Sequence, residues 1–361
     1  MKKINILIGL CIVALVVVIG LLVTSADEDV IKIGVIGHFS GDYASYGIPM
    51  KQAIELYVDE VNANGGIDGK KIQLVIEDDG SDAVKSASGM NKLVNVDNAD
   101  YILSSQGSGA TAVITPISQN NGKVLMITLG SAPGLTEDKN YVFRSILSDV
   151  FQGAKMVEHL KNVKPKTIAG LYRNDPYGVG IRDIVEKGYG NVVNSELYEP
   201  SSTDFRTQLM KIKQANPDVL IIAGASDNYP ILFKQVKELG ITSTVIVSET
   251  FYDKNVLEKI EGNAEGAYTL FPNEPVDYAN FAKKYETKYG ETFAYGMYAY
   301  DGVTALVKAI DGSKNKEEVR EKLYNLQFNG ASGSVGFDNE GDRIGIDYTI
   351  YQVRNGEFVA L

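Results

Sequence analysis

From residue 31 the chain alternates short, β-branched apolar runs with amphipathic stretches, and after about residue 148 the alternation starts again. The first series holds IKIGVIG (31–37), KIQLVIED (71–78), DYILSS (100–105) and VLMIT (124–128). The second holds TIAGLY (167–172), VVNSELY (192–198), DVLIIAG (218–224), STVIVS (243–248) and AYTLF (267–271). A strand with one wet face alternates apolar with polar residues, whereas a near-continuous apolar strand has to be covered on both sides. Helical patterns lie between these runs. In 47–66, for example, Ile54, Tyr57, Val58 and Val61 recur at helical spacing. Strands and helices in alternation predict parallel sheets with helices on both faces. Two series predict an α/β protein of two doubly wound parallel-sheet lobes. The pattern then changes: 276–310 reads as nearly all helix, followed by a strand pair of 333–343 with 347–353. Helices placed after the second sheet can pack back on the first. The expected division is therefore 30–145 plus 274–330 for lobe 1 and 146–273 plus 331–361 for lobe 2. No low-complexity linker separates them, so the crossings read as short hinges.

Residues 1–26 stand apart from the fold. A basic start, MKK, precedes the apolar run INILIGLCIVALVVVIGLLV and the small residues Thr24 and Ala26. This suits a secretory signal peptide, and a run of about 20 apolar residues also suits an N-terminal membrane anchor. Both readings put the remainder outside the cytoplasm. Cys11 is the only cysteine and lies inside the run, so the exported part has neither disulfide nor thiol chemistry. The net charge of −11 argues against nucleic-acid binding, which calls for a basic face.

Ligands of open parallel sheets sit beyond the carboxyl ends of the strands. In the first series those ends carry GHFSGDYASYG (37–47), SSQGSGAT (104–111) and TLGSAPG (128–134), all with Gly and Ser and none with Lys or Arg. A helix N-terminus favours an anion. A phosphate there recruits Lys or Arg as well, and a carboxylate needs less. Ser108 can donate to such a group or simply cap its own helix. Gly130 and Ser131 are small enough for backbone to approach a ligand, and Tyr46 can wall an apolar side chain. In the second series Tyr177 stands just before a helix, and Glu249 at a strand end suits an N-cap or a ligand ammonium. Neutral donors on one lobe and an acid on the other match a zwitterion. Catalysis has little to stand on. The two histidines, His38 and His159, lack metal-ligand spacing, and no GxSxG elbow follows a strand. The acidic EDD (77–79) reads as an exposed strand end, with a divalent-ion site as the alternative. No cofactor or metal is expected.

In this order, these segments resemble the solute-binding proteins of ABC importers for branched-chain amino acids, the leucine/isoleucine/valine-binding type with its type I periplasmic-binding-protein fold. The likeness runs from about residue 30 to the end. It is carried by IKIGVIGHFSGDYASYG, VDEVNANGGIDGKKIQLVIEDD, SSQGSGATAVITPIS, VLMITLGSAPGLT, YVFRS, DPYGVG, TDFRTQLMKIKQANPDVLIIAG and GFDNEGDR. It implies two lobes closing on one amino acid, binding without chemistry, and delivery to membrane permease subunits. Ser108 stands where the family serine takes the ligand carboxylate. Gly130 and Ser131 fall in the loop that takes carboxylate and ammonium, and Glu249 matches the acid that pairs with the ammonium. Tyr46 matches a cleft aromatic of the first lobe, Tyr177 a wall of the second, and Tyr295 a further wall. The loop TLGSAPG looks one residue shorter than the family's, so Ser131 and Ala132 both stand as replacements for its threonine. No aromatic is placed around 224–230, which leaves "branched-chain" more open than "amino acid". The alternatives are a binder of another small solute (amide, urea or aromatic acid), a ligand-sensing ectodomain, and an enzyme.

Overall fold

The computed structural model describes residues 30–361 apart from 274, 276 and 346, so the signal-or-anchor expectation for residues 1–26 lies outside the described residues. No described helix is long and apolar enough to cross a membrane.

The first sheet has the order β2-β1-β3-β4-β5, all parallel, with β1 Ile31–Gly37, β2 Ile72–Asp78, β3 Tyr101–Ser105, β4 Val124–Ile127 and β5 Val142–Arg144. The second contains β6 Ile168–Arg173, β7 Val192–Tyr198, β8 Val219–Ala223, β9 Thr244–Val247 and β10 Tyr268–Pro272. These run parallel in the order β7-β6-β8-β9-β10, the same winding as the first sheet. Two antiparallel strands, β13 Tyr348–Arg354 and β14 Glu357–Ala360, then extend the β10 edge. The apolar runs behave as their composition demands. Along β4, Val124 and Met126 enter one core while Leu125 and Ile127 enter the core on the opposite face. Along β8, Leu220 and Ile222 face one core, and Val219, Ile221 and Ala223 the other. β5 escapes the sequence pattern because three residues show no period.

Helices α1 Ala44–Ala63, α2 Ala83–Asn95 and α3 Ser108–Asn120 serve the first sheet, and α4 Asp149–Val163 and α5 Pro176–Tyr189 open the second lobe. The late helices over 278–324 pack on the first core through Phe281, Tyr298, Val303, Leu306 and Leu323. The hinge is sharp: Ile146 belongs to the first core and Leu147 to the second. The C-terminal expectation needs correction. β11 Gln327–Gly330 and β12 Gly333–Gly336 pair with each other, not with 347–353. That hairpin buries Ala331, Val335 and Phe337 in the first core, so residues 331–337 stay with lobe 1 and the chain rejoins the second sheet at Tyr348. Apolar burial of the hairpin outweighs the shorter crossing that the sequence suggested.

Two buried arginines fasten the crossings. Arg144 is fully buried. It donates through Nε and Nη2 to the Asp342 carboxylate at 2.8 and 2.6 Å, and through Nη1 to the Ala132 carbonyl at 2.7 Å. Arg343 is also fully buried and donates to the carbonyls of Ser145 (2.8 Å) and Ser332 (2.9 Å).

Candidate functional site: a cleft between the lobes

In both sheets the winding reverses between neighbouring strands, β1/β3 in the first and β6/β8 in the second. The connections that leave the two strands run to opposite faces of the sheet at such a switch point, leaving a crevice between them. The two crevices face each other across a cavity of about 280 Å³, lined from lobe 1 by residues that follow β1, β3 and β4 and from lobe 2 by residues at the ends of β6, β8 and β9. The lobes are closed on it. The Tyr46 hydroxyl meets Ser226 Oγ at 2.5 Å and accepts from the Ser226 amide at 3.3 Å. The Arg173 guanidinium lies 5.0 Å from the Tyr43 ring centre.

Of the residues singled out from sequence, Ser108, Ser131, Glu249, Tyr46, Tyr177 and Tyr295 line this one cavity. Gly130 does not. It is packed against Thr111, whose Oγ1 would stand 2.7 Å from a Cβ at this position, so its smallness serves packing there. Between Ser131 and Ala132, it is Ser131 that reaches the cavity.

Ser108 does not cap its helix. Gly107 holds the N-cap position without a side-chain cap. Instead Ser108 Oγ accepts the amides of Ser131 (3.2 Å) and Ala132 (3.1 Å), which occupies its acceptor side and leaves its hydrogen to donate. The first N–H groups of a helix have no intrahelical partner. At α3 they belong to Ser108, Gly109 and Ala110, all of which line the cavity. Lobe 1 thus presents a concentrated set of uncharged donors at the positive end of a helix dipole.

Lobe 2 answers with acid. Glu249 is 5% exposed, and its carboxylate accepts from the Tyr177 hydroxyl at 3.2 Å. Its backbone N–H donates to Gln152 Oε1 at 2.8 Å, and Gln152 Nε2 donates to Asp149 at 2.9 Å. Asp149 also accepts from Ser131 Oγ at 3.0 Å, so the cavity serine is held by a lobe 2 acid. Burial pushes Glu249 well above the usual carboxylate range, and the neighbouring Asp149 adds to it. Asp149 rises to about 7, again chiefly by burial, with Arg144 opposing. Two buried acids thus stand together, and the arginine that opposes the rise of Asp149 is already committed to Asp342.

Sequence reading missed several cavity residues. Arg173 and Asp175, ion-paired at 2.7 Å, line its wall. A charged residue at the end of an otherwise apolar strand was the available signal for Arg173. His38, Thr250 and Ser81 also line it. EDD divides into different fates. Asp78 is exposed and accepts the amides of Phe39 (3.0 Å) and Ser40 (3.1 Å), whereas Asp79 is only 1% exposed and not the solvated strand end expected. No group of metal-ligating side chains occurs among the described residues. His159 is half-buried against the Tyr268 ring, 5.0 Å between centres, far in sequence and partners from the cleft.

The link from Tyr46 to Ser226 joins opposite lobes, so it exists only when they are closed. Tyr46→Phe should therefore shift the population toward the open form and weaken ligand binding by about fivefold, the worth of one hydrogen bond of roughly 1 kcal/mol. Calorimetric titration of both forms measures this, and an unchanged affinity would show that the link does not contribute to closure.

A family model for periplasmic binding protein matches residues 30–357. The chain is 32% identical to the Leu/Ile/Val-binding protein homolog 2 of Brucella abortus (strain 2308), over 99% of this chain and 98% of that one. Among solved structures it resembles the branched-chain amino acid transporter substrate binding protein of Streptococcus pneumoniae in complex with isoleucine, with TM-score 0.83 and 26% identity over 92% and 99% of the two chains. A solute binding protein of an ABC transporter from Rhodopseudomonas palustris BisB5, in complex with 3,4-dihydroxy benzoic acid, shares the fold at TM-score 0.81 and 19% identity over 92% and 97%. The repeated 2-1-3-4-5 winding, the hinge and the matched span together place this chain in the periplasmic binding protein family, among the leucine/isoleucine/valine-binding type.

Proposed function

We infer that the chain is the extracytoplasmic solute-binding component of an ABC importer, which closes on one zwitterionic amino acid and delivers it to the membrane permease. One observation carries this reading: uncharged donors of Ser108 and the α3 N-terminus share a closed cavity with Glu249, a buried acid whose side chain meets the Tyr177 hydroxyl and forms no ion pair among the described residues. A carboxylate suits the first and an ammonium the second. Leu129, Ile146, Tyr46, Tyr295 and Ala225 line the same space and favour an apolar side chain. The relatives' substrates agree with this choice. Residues 1–26 would export the chain or hold it at the membrane.

Chemistry is disfavoured by the way the polar groups are committed. His38 Nε2 is already occupied by the Gly107 amide, and Ser108 Oγ by two amides. No base is thereby aimed at a nucleophile. The fold shared with a binder of an aromatic acid makes that class the second reading, but such a ligand would leave Glu249 buried without a counter-charge.

The test is a thermal-shift panel of the twenty amino acids. A ligand at about 100 times its Kd adds roughly 2.7 kcal/mol to the stability of the folded state. A clear upward shift is expected with one or more apolar amino acids. Stabilisation by benzoate-type acids alone, or by none of the twenty, would overturn the reading.

A further inference from the structure

His38 lies at the end of β1 and lines the cavity, yet nothing above gives it a task. Its surroundings specify one. Nδ1 stands 2.8 Å from Asp79 Oδ1, and Nε2 stands 3.0 Å from the amide nitrogen of Gly107. Burial would push the Asp79 carboxyl up, but the donors from His38, Gln106 and Ser81 outweigh it and hold it below the ordinary value. Asp79 is therefore an acceptor only, and Nδ1 must carry the ring hydrogen. A neutral ring protonated on Nδ1 has its lone pair on Nε2, which is what the Gly107 N–H requires. Both contacts demand the same tautomer.

Asp79 does not depend on His38 for its own satisfaction. It also accepts from Ser86 Oγ (2.9 Å), the Ser81 amide (2.8 Å) and Gln106 Nε2. What the histidine alone supplies is the acceptor for Gly107. The ring is held rigidly enough to do so. A Cβ on Gly47 would stand 1.9 Å from the His38 carbonyl oxygen, so α1 rests directly on its backbone, and the centre of the Tyr43 ring lies 5.5 Å from that of the imidazole.

Gly107 is the N-cap of α3 and immediately precedes Ser108. Pinning its amide fixes the turn from which Ser108 reaches the amides of Ser131 and Ala132, and from which the free N–H groups of α3 enter the cavity. We propose that His38, held as the Nδ1–H tautomer by Asp79, is a positioning residue for the ligand-carboxylate seat and acts on it through the Gly107 amide. The seat's purpose rests on the solute-binding reading above, whereas the tautomer does not.

The test has two parts. The protein has only two histidines, so a nitrogen-15 spectrum labelled in the imidazoles resolves both rings, and His38→Gln assigns them by the signal it removes. In the ligand-free protein at neutral pH, His38 is expected to carry hydrogen on Nδ1 and a bare Nε2. A protonated Nε2 overturns the proposal whatever the variants do. The second part is calorimetry with L-leucine, or with whichever of the twenty amino acids stabilises the protein most. His38→Leu, which has neither donor nor acceptor, should bind about tenfold more weakly. His38→Gln presents an amide donor and an amide acceptor at similar spacing and should recover to within about threefold of the native affinity. Native affinity in the Leu variant, or no recovery in a Gln variant that still melts cooperatively, overturns it. If no amino acid binds the native protein, the solute reading falls and the imidazole spectrum alone decides the His38–Gly107 link.

Discussion

Glu249→Gln should weaken amino-acid binding by about a hundredfold while making the ligand-free protein more stable at pH 7. Both effects have one cause. The carboxyl is buried and its proton is held more tightly in the folded chain than in the unfolded one. A carboxyl of this kind contributes most to stability below its unfolded value of 4.5, and the contribution is lost as pH rises through the higher folded value. At pH 7 the native protein therefore carries a cost that a neutral glutamine of the same size does not. The stability advantage of the variant should shrink as pH falls and vanish near pH 4. Ligand binding runs the other way. An ammonium beside Glu249 favours the ionised form, so binding expels a proton and native affinity rises with pH across the same window. Glutamine leaves the ligand's ammonium buried without its counter-charge. Removing one partner of a buried pair costs about 3–5 kcal/mol, and the lower end applies because the amide oxygen still accepts a hydrogen bond. That corresponds to roughly two orders of magnitude in Kd. Urea melts from pH 4 to 8 and calorimetric titrations of both forms measure the two effects. A variant that binds normally, or that is less stable at pH 7 and equal at pH 4, would remove Glu249 from the ammonium's side of the cleft.

The architecture was legible because its signals are local and repeated. Runs such as VLMI and VLIIA are buried on both faces, and composition alone reveals that. The cleft was legible through topology: once parallel strands are assigned, ligand loops must follow their carboxyl ends, which is how Ser108, Ser131 and Glu249 were reached. What failed depends on long-range pairing. The partner of 333–336 is decided by where Val335 and Phe337 find apolar cover, and no local period encodes that. The packing of Gly130 against Thr111 is another such contact, since a small residue in a cleft loop looks the same whatever lies beside it. His38 and Asp149 owe their place to partners 69 and 18 positions away. Single residues of this sort carry no period and no motif, so their roles become visible only when the strands that hold them are side by side.

The second large effect is expected at the hinge. Arg144→Met should lower stability by about 3 kcal/mol and weaken ligand binding in the same protein, although Arg144 does not line the cavity. Its guanidinium is fully buried and serves two masters: the Asp342 carboxylate at the crossing to lobe 2, and the Ala132 carbonyl in the loop that carries Ser131. Breaking a buried pair by removing one partner costs about 3–5 kcal/mol. The side chain of Asp342 is 21% exposed and can be partly rehydrated, which again selects the lower end. The Ala132 carbonyl loses its donor at the same time. Its loop is then free to move relative to Ser108, which holds the amides of both Ser131 and Ala132. Loss of the cation also removes the charge that opposes the upward shift of Asp149, the acid that holds Ser131 Oγ. Arg144→Lys separates these contributions. Lysine keeps the charge but not the planar fork, so it cannot reach the carboxylate twice and the carbonyl once. It should restore part of the stability and little of the affinity. Asp342→Asn on the Met background should add little further loss, since contacting partners of one network are not additive. Urea unfolding of the single and double variants gives the coupling, and calorimetry gives the affinity. If Arg144→Met loses stability but binds as the native protein does, the hinge and the ligand loop are mechanically independent, and Arg144 is a fastener of the crossing alone.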